Sequence, residues 1–292
     1  MTGFGVCKLC GQYARLIQGH VIPKFSIDWL KRTSATGYIR QGLKPDIRKQ
    51  DIQKIALLCA NCERLFSTWE NQFTKRVFIP FQEKSQQSFK YDEWLLKFAV
   101  SLAWRTGMAT VGDLRNSRSE LTESVDKALD SWRAFLLGQS TDAEPYAHHL
   151  LFLDIVADAQ GLDVPQGFHW YLLRGVDATV VSSSQNVFVY TKLPGLIFWS
   201  GVKPAKPEGW EGTLVSRKGV IGTNQEVSQA GFGDFLVDRV HQGSKLFNKI
   251  SSRQRERIGQ ALLENPERSI KSRTFETYLA ERLWQKTKGQ SE

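Results

Sequence analysis

The chain of 292 residues lacks several features that define whole classes of protein. It has only four cysteines, no apolar run near the roughly 18 residues of a membrane-spanning helix, and no internal repeat or low-complexity tract. These absences argue against an integral membrane protein, a repeat array and a disulfide-rich secreted module. The length and the apolar content suffice for one large domain or two.

Acidic residues are scarce in the first third of the chain. Residues 1–90 hold 15 Lys or Arg against 6 Asp or Glu, so the entire net charge of +9 lies in this segment. A local excess of this kind predicts a surface for a polyanion, and nucleic acid, most simply DNA, is the natural partner. The alternative is an ordinary solvated basic face.

The four cysteines form two Cys-x-x-Cys pairs, Cys7 with Cys10 and Cys59 with Cys62. Two such pairs supply the tetrahedral sulfur shell that structural zinc prefers, and they predict one zinc ion shared by all four thiolates. Two disulfides and a redox-active pair are the alternatives. No secretory signal accompanies the cysteines, so we expect reduced thiols and a cytoplasmic location.

Hydrophobic periodicity predicts a mixed α+β fold. Phe66, Trp69 and Phe73 share the face of a helix that leaves the second cysteine pair. Further helices are predicted over residues 91–105, 113–137, 228–247, 251–264 and 272–286, and an extended loop over 34–48. Strands of a small antiparallel sheet are predicted over residues 150–156, 169–174, 179–181, 187–191, 196–199 and 213–221.

The domain prediction follows these changes of pattern along the chain. Residues 1–80 are expected to form a zinc-binding domain, 81–140 a helical segment, 141–225 a β-rich region, and 226–292 the C-terminal helices. We expect residues 81–292 to form one domain, and residues 91–292 to offer a surface for a protein partner. His148 and His149 are adjacent on a predicted strand and point to opposite faces, so they receive no function.

His20 lies between the two cysteine pairs in the segment Gly-His-Val-Ile-Pro-Lys. Together with the cysteines and with Glu63, which follows the last of them, this segment resembles the zinc-bearing HNH endonucleases and the related phage recombination endonuclease VII family. The resemblance covers about residues 5–75. It implies a ββα-metal fold of the treble-clef type, in which a divalent ion lies between a β-hairpin and the following helix.

The resemblance also implies roles for single residues. His20 would be the general base that activates water, with a structural histidine hydrogen-bonded beside the zinc site as the alternative. The four cysteines would hold structural zinc, and Glu63 would help to hold a catalytic Mg²⁺ or Mn²⁺ ion. The family usually has an Asp or His ligand at the position of Gly19, and Lys54 occupies the place of the central Asn. Glu70 and Asp51 are candidate replacement ligands, with a salt bridge as the alternative for Glu70.

Basic residues with Tyr38 among them fill the segment that follows His20, and they predict contacts to a phosphate backbone. These residues are Lys24, Lys31, Arg32, Arg40, Lys44, Arg48 and Lys49. The resemblance and the charge predict a DNA endonuclease, and by analogy an effector against phage or plasmids. The alternatives are a zinc-stabilised module that binds nucleic acid without cleaving it, and a protein-interaction adaptor.

Overall fold

The computed structural model describes residues 3–41, 44–49, 52–117, 119–156, 164–182, 187–203, 208–229, 231–247 and 250–288. The strands are β1 (Phe4–Val6), β2 (Tyr13–His20), β3 (Ile39–Gln41), β4 (Lys44–Lys49), β5 (Lys54–Cys59), β6 (Ser88–Tyr91), β7 (His148–Phe152), β8 (Asp177–Ser182), β9 (Val187–Leu193), β10 (Leu196–Gly201), β11 (Trp210–Glu211), β12 (Gly219–Gly222) and β13 (Glu226–Val227). The helices are α1 (Lys24–Arg32), α2 (Ala60–Phe73), α3 (Ile79–Gln82), α4 (Glu93–Ser117), α5 (Ser119–Leu136), α6 (Phe168–Arg174), α7 (Phe232–Phe247), α8 (Ser252–Glu264), α9 (Pro266–Ile270) and α10 (Arg273–Lys288), with a π-helical turn at Thr74–Phe78. The predicted α+β class is confirmed.

The chain forms two compact units, each assembled from separated stretches of sequence. Unit 1 consists of Met1–Pro23, Gln53–Phe152 and Asp177–Ser228, and unit 2 of Lys24–Ile52, Leu153–Val176 and Gln229–Glu292. The segments predicted above follow one another along the chain, whereas both units are discontinuous.

Unit 1 contains two larger antiparallel sheets. One has the strand order β1-β2-β5, and the other has the order β7-β10-β9-β8, which confirms the predicted small antiparallel sheet. Every residue of β10 is buried, as expected for a central strand covered on both faces. The segment predicted as a strand over 213–221 is strand only from Gly219, where β12 pairs with β6.

Aromatic side chains join the helices of unit 1 to the second sheet. The predicted helix after Cys62 is confirmed, and Phe66, Trp69 and Phe73 are buried along one face of α2. The ring of Phe73 stacks on that of Phe98 in α4 with 4.3 Å between their centroids. Helix α4 continues beyond the predicted end at residue 105, so residues 113–117 belong to α4 and not to α5.

Two predictions about segments of unit 2 are wrong. Residues 169–174 are predicted as a strand, but they lie in helix α6. The loop predicted over residues 34–48 contains a β-hairpin, in which Ile39 of β3 pairs with Lys49 of β4. Alternation over such short segments does not distinguish a strand from one or two turns of helix, so long-range contacts decide the outcome.

The long-range contact that explains α6 comes from Glu281 of α10. Its Oε1 accepts a hydrogen bond from the backbone N–H of Gly167 at 2.6 Å, and its Oε2 accepts one from the N–H of His169 at 3.0 Å. These N–H groups belong to the first turn of α6, where they lack partners within the helix. A carboxylate more than a hundred residues away in sequence therefore caps this helix, while Phe168 packs with Trp284 in the core of unit 2.

None of the helices within the described residues is both long enough and apolar enough to cross a bilayer.

We expect Glu281→Gln to lower the free energy of unfolding by about 1.5–3 kcal/mol near pH 7, because it weakens charge-assisted hydrogen bonds at a buried helix end. Burial alone would raise the pKa of Glu281, but hydrogen bonds from the side chain of His169 and from the N–H groups of Gly167 and His169 lower it. The stabilisation is therefore present above the ordinary carboxyl pKa and is lost as the pH falls through the lower folded value.

Urea unfolding at pH 7 and at pH 3 checks this prediction. The difference between wild type and Glu281→Gln should shrink at the lower pH, whereas Glu267→Gln, at a side chain that is 89% exposed, should change little at either pH. A loss for Glu281→Gln that is equal at both pH values would contradict the role of the ionised carboxylate.

Candidate metal centre and the adjoining Glu63 site

The four cysteines converge on one point in unit 1. Their Sγ atoms all lie within 4.8 Å of one another, and Cys10 Sγ is 3.9 Å from Cys59 Sγ. A zinc–sulfur distance near 2.3 Å in a tetrahedron requires sulfurs about 3.8 Å apart. All four thiols are free, so the alternative of two disulfides is excluded in this structure. The cysteines are positioned to bind a metal ion, and their geometry is compatible with structural zinc.

Tight turns bring the two pairs together. Cys7 and Cys10 lie in the turn between β1 and β2, where Gly11 has a φ of +77° and its N–H donates to the carbonyl of Cys7. Cys59 ends β5, and Cys62 lies in the first turn of α2. The N–H of Cys59 donates to Cys7 Sγ at 3.3 Å, so the backbone of one pair contacts the sulfur of the other.

The surroundings of Cys7 favour the ionised form of its thiol. Burial opposes ionisation of Cys7, but backbone hydrogen bonds from Cys10, Cys59 and Leu9 lower its pKa to about 7. Burial and the neighbouring sulfurs raise the pKa of Cys62. A second thiolate would therefore form beside the first only with a cation between them, which is the role of a bound metal ion.

The Glu63 site, formed by Gly19, His20, Glu63, Glu70 and Arg105, adjoins the metal centre. Helix α2 carries Glu63 one residue after Cys62, and its carboxylate lies against the backbone of β2. A Cβ built on Gly19 would lie 2.0 Å from Glu63 Oε1 and 2.9 Å from Glu63 Cδ. The absence of a side chain at residue 19 therefore creates the space that this carboxylate occupies.

Arg105 of α4 is the buried cation of the Glu63 site. Its side chain is only 4% exposed, and Nη2 lies 2.7 Å from Glu70 Oε1. Nη1 donates to the carbonyl oxygen of His20 at 3.1 Å, and the guanidinium lies over the ring of Phe66. The salt bridge that is the alternative for Glu70 is thus present, and Arg105 links α4, α2 and the end of β2.

The charges of this site shift the ionisation of Glu63. Burial raises its pKa above the ordinary value, Arg105 acts in the opposite direction, and Glu70 adds to the rise. A carboxylate in such surroundings is stabilised by a cation. Arg105 supplies one already, and a divalent ion would supply another.

Only a weak signal in the sequence points to Arg105. It is the last residue of a predicted helix. Nothing in the sequence pattern places it beside Glu70, 35 residues earlier, or beside His20, 85 residues earlier.

Within the described residues, the four cysteines are the only set of three or more His, Cys, Asp or Glu side chains gathered closely enough to hold an ion. His20, Glu63 and Glu70 do not form such a set, and Asp51 lies outside the described residues.

The basic residues predicted to contact nucleic acid all belong to unit 2. Lys24, Lys31 and Arg32 lie on α1, where Asp28 pairs with Lys31 at 3.1 Å and with Lys24 at 3.8 Å. The others, Arg40, Lys44, Arg48 and Lys49, lie on the β3–β4 hairpin, whose register places Arg40 directly opposite Arg48. The side chains of Lys44 and Arg48 lie outside the described part of the chain.

A second group of cations, in unit 1, is absent from the sequence-based prediction. Lys75, Arg76 and Lys90 line an open hollow of about 480 Å³ at the end of α2, with Val220 on its far wall. All three cations are exposed. The signal available in the sequence is the pair Lys75-Arg76 at the end of the predicted helix.

His148 and His149 are buried, and each ring lies within hydrogen-bond distance of a hydroxyl group. His148 Nδ1 lies 2.8 Å from Ser200 Oγ, and His149 Nδ1 lies 2.9 Å from Thr213 Oγ1. Burial lowers the pKa of His148 to about 3 and that of His149 to about 4, so both rings stay neutral at physiological pH.

We expect the purified protein to carry about one zinc ion per chain, measured by elemental analysis. Cys62→Ser should remove the ion because three thiolates remain, and a chelator should lower the thermal stability of the wild type but not of Cys62→Ser. Metal-free protein with oxidised thiols would contradict the prediction.

We expect Arg105→Met to lower the free energy of unfolding by about 3–5 kcal/mol, because it leaves two carboxylates without their buried counter-charge. The double variant Arg105→Met/Glu70→Gln should recover part of the loss. Arg115→Met is the matched control, since its pair with Asp126 is about half exposed and should contribute less than about 1 kcal/mol. Denaturant unfolding measures all three, and equal losses for Arg105→Met and Arg115→Met would refute the role of Arg105.

Comparisons with protein-family models, with curated proteins and with solved structures found no match to this chain. Functional inference therefore depends on the residues of the site and on their geometry.

Proposed function

We propose that this protein is a metal-dependent endonuclease of the zinc-bearing HNH type, which hydrolyses phosphodiester bonds in DNA. One observation carries the proposal. The carboxylate of Glu63 fills the space left by Gly19, the residue that precedes His20, and it comes from a helix that begins at the cysteine centre. The family has a ligand side chain at the position of Gly19, and here a carboxylate from the facing helix occupies that place.

The order of the surrounding elements supports the proposal. Strand β2 ends at His20 and pairs antiparallel with β5, and α2 follows β5 without a break. Two strands and a helix around a four-cysteine centre are the arrangement that the resemblance implies. The register pairs His20 with Lys54, so the residue at the expected place of the central Asn is the direct neighbour of the base.

His20 would act as the general base. A neutral imidazole accepts a proton near physiological pH, which is what the attack of water on phosphorus requires. The hydrogen bond from Arg105 to the carbonyl of His20 fixes the backbone that carries the ring. Proton transfer of this kind contributes roughly 10²–10⁴-fold to a rate.

Glu63 would help to hold a divalent ion such as Mg²⁺ or Mn²⁺. Mg²⁺ is commonly bound by one or two carboxylates together with waters and substrate phosphates, so one buried carboxylate fits such a role. The ion, when bound, supplies positive charge that stabilises the developing charge on the phosphate oxygens. The four thiolates would saturate the zinc, which then has no open position for the substrate.

Each unit carries cations that are candidates for contacts to DNA. In unit 2 they lie on helix α1 and on the β3–β4 hairpin. The hollow lined by Lys75, Arg76 and Lys90 offers a second group of positive charge. Such contacts position a phosphate backbone without reading its sequence. Action against phage or plasmid DNA is part of the proposal by analogy only.

A second candidate function is binding of nucleic acid without cleavage. Arg105 favours it, because a buried guanidinium beside Glu63 and Glu70 already supplies the cation that a catalytic ion would otherwise supply. In that case the centre would be a scaffold, and salt-sensitive binding would persist without hydrolysis.

The test is incubation of purified protein with supercoiled plasmid in Mg²⁺ or Mn²⁺. We expect nicking by the wild type and a fall of roughly 10²-fold or more in His20→Ala, which loses the base. Glu63→Gln and Gly19→Ala should also lower the rate, because the first removes the charge of the ligand and the second places a methyl group where its carboxylate lies.

Gly112→Ala is the matched control for Gly19→Ala, since an added Cβ at Gly112 meets nothing within 4 Å. It should cleave as the wild type does. Intact DNA in every condition, together with binding that weakens steeply as salt rises, would support the second candidate. Equal nicking by wild type and His20→Ala would reject the assigned base.

A further inference from the structure

An exposed aromatic pair marks one face of the β1–β2 strand pair. Phe4 is 70% exposed and Tyr13 is 73% exposed, and their rings lie 6.1 Å apart at an angle of 24°. Val6, on the same face, is 52% exposed. Large apolar side chains that remain together in water often belong to a binding surface.

The register shows that the pair belongs to one continuous surface. Phe4 pairs with Arg15 and Val6 pairs with Tyr13, and directly opposed residues of antiparallel strands share a face. Phe4 and Tyr13 are therefore diagonal neighbours, with Arg15 beside them. We call this surface, formed by Phe4, Val6, Tyr13 and Arg15, the aromatic face.

The charge around the aromatic face is positive. Arg15 and Lys8 are exposed, and the chain contains no Asp or Glu before Asp28. A surface that combines flat aromatic rings with exposed cations suits a ligand that is both aromatic and anionic. Nucleotides have this chemistry, because every base has a π-face and every linkage carries a negative charge.

A second exposed aromatic pair, Phe275 and Tyr278 of α10, differs in its exposure and in the charge beside it. These rings are 36% and 45% exposed, and Glu276 lies between them in sequence, paired with Arg273. The pair therefore has less accessible ring area and a balanced local charge. Exposure of aromatic rings by itself does not select a nucleotide, whereas exposed rings next to an exposed cation suit one.

The metal centre anchors the aromatic face. Cys7 follows β1 directly, Cys10 lies three residues before β2, and both contribute sulfur to the four-cysteine group. The strand pair is thus closed at one end by the centre itself.

We infer that the aromatic face stacks on unpaired bases, so that the substrate of this protein includes a single-stranded segment. Bases of an intact duplex are already stacked on each other and do not present a face to a protein ring. The inference rests on the proposed function for the identity of the ligand as nucleic acid. It adds that bases, and not only phosphates, are contacted.

The test is fluorescence anisotropy with a labelled 12-nucleotide oligothymidine and with a labelled 12-base-pair duplex. The full chain carries His20→Ala, so that cleavage cannot interfere. We expect Phe4→Ala and Tyr13→Ala each to weaken binding of the single strand roughly tenfold, as loss of one base–aromatic stack does elsewhere. Binding of the duplex should change less than about twofold, since it depends on phosphate contacts.

Three further variants separate ring stacking from apolar packing and from a loss of folding. Tyr13→Phe keeps the ring and should bind as the parent does, whereas Tyr13→Leu keeps an apolar side chain without a π-face and should bind as weakly as Tyr13→Ala. The pair Phe275→Ala/Tyr278→Ala is the control and should bind the single strand normally. Zinc content and the thermal midpoint show that the strand pair remains folded.

The inference fails if Phe4→Ala/Tyr13→Ala binds the single strand as tightly as the parent, or if Tyr13→Leu retains full affinity, which would indicate an apolar docking site for protein. Plasmid nicking by a Phe4→Ala/Tyr13→Ala protein with unchanged single-strand affinity would reject this inference and leave the proposed function intact. Tenfold weaker single-strand binding in a protein that cuts nothing would support the aromatic face and reject the endonuclease.

Discussion

The convergence of four sulfur atoms is the constraint on which the candidate site depends. Two short turns, 49 residues apart at their nearest cysteines, place the thiols within 4.8 Å of one another. Free thiols at this spacing repel once they ionise, so a cation at their centre would convert an unfavourable cluster into a stable cross-link. The turn between β1 and β2 is thereby tied to the start of α2, and Gly19, His20, Glu63 and Glu70 lie on β2 and α2, the elements that leave these two points.

In the Glu63 site, the lack of a side chain at Gly19 and the carboxylate of Glu63 depend on each other. Gly19 creates a space, Glu63 fills it, and Arg105 holds the end of the strand through the carbonyl of His20. The same arrangement has two chemical consequences. The carboxylate lies beside Gly19, the residue before His20, and the buried guanidinium of Arg105 opposes the rise in the pKa of Glu63 that burial causes.

Positive charge is distributed over different parts of the molecule with different surroundings. The predicted cations of residues 24–49 lie in unit 2 on a helix and a hairpin, while Lys75, Arg76 and Lys90 surround a hollow in unit 1. The aromatic face adds flat rings to a third group of cations.

Local patterns in the sequence determined the α+β class, the helix after Cys62 with its buried aromatic face, and the pairing of cysteines into two knuckles, because spacing alone places those side chains together. The helix at α6, the hairpin at β3–β4, the division into interleaved units and the partners of Glu63 were decided only by tertiary structure. In each case the decisive contact joins residues far apart in the chain, as Glu281 does for α6 and Arg105 for Glu70 and His20. Periodicity reports which face of an element is buried, and it carries no information about which distant side chain completes that face.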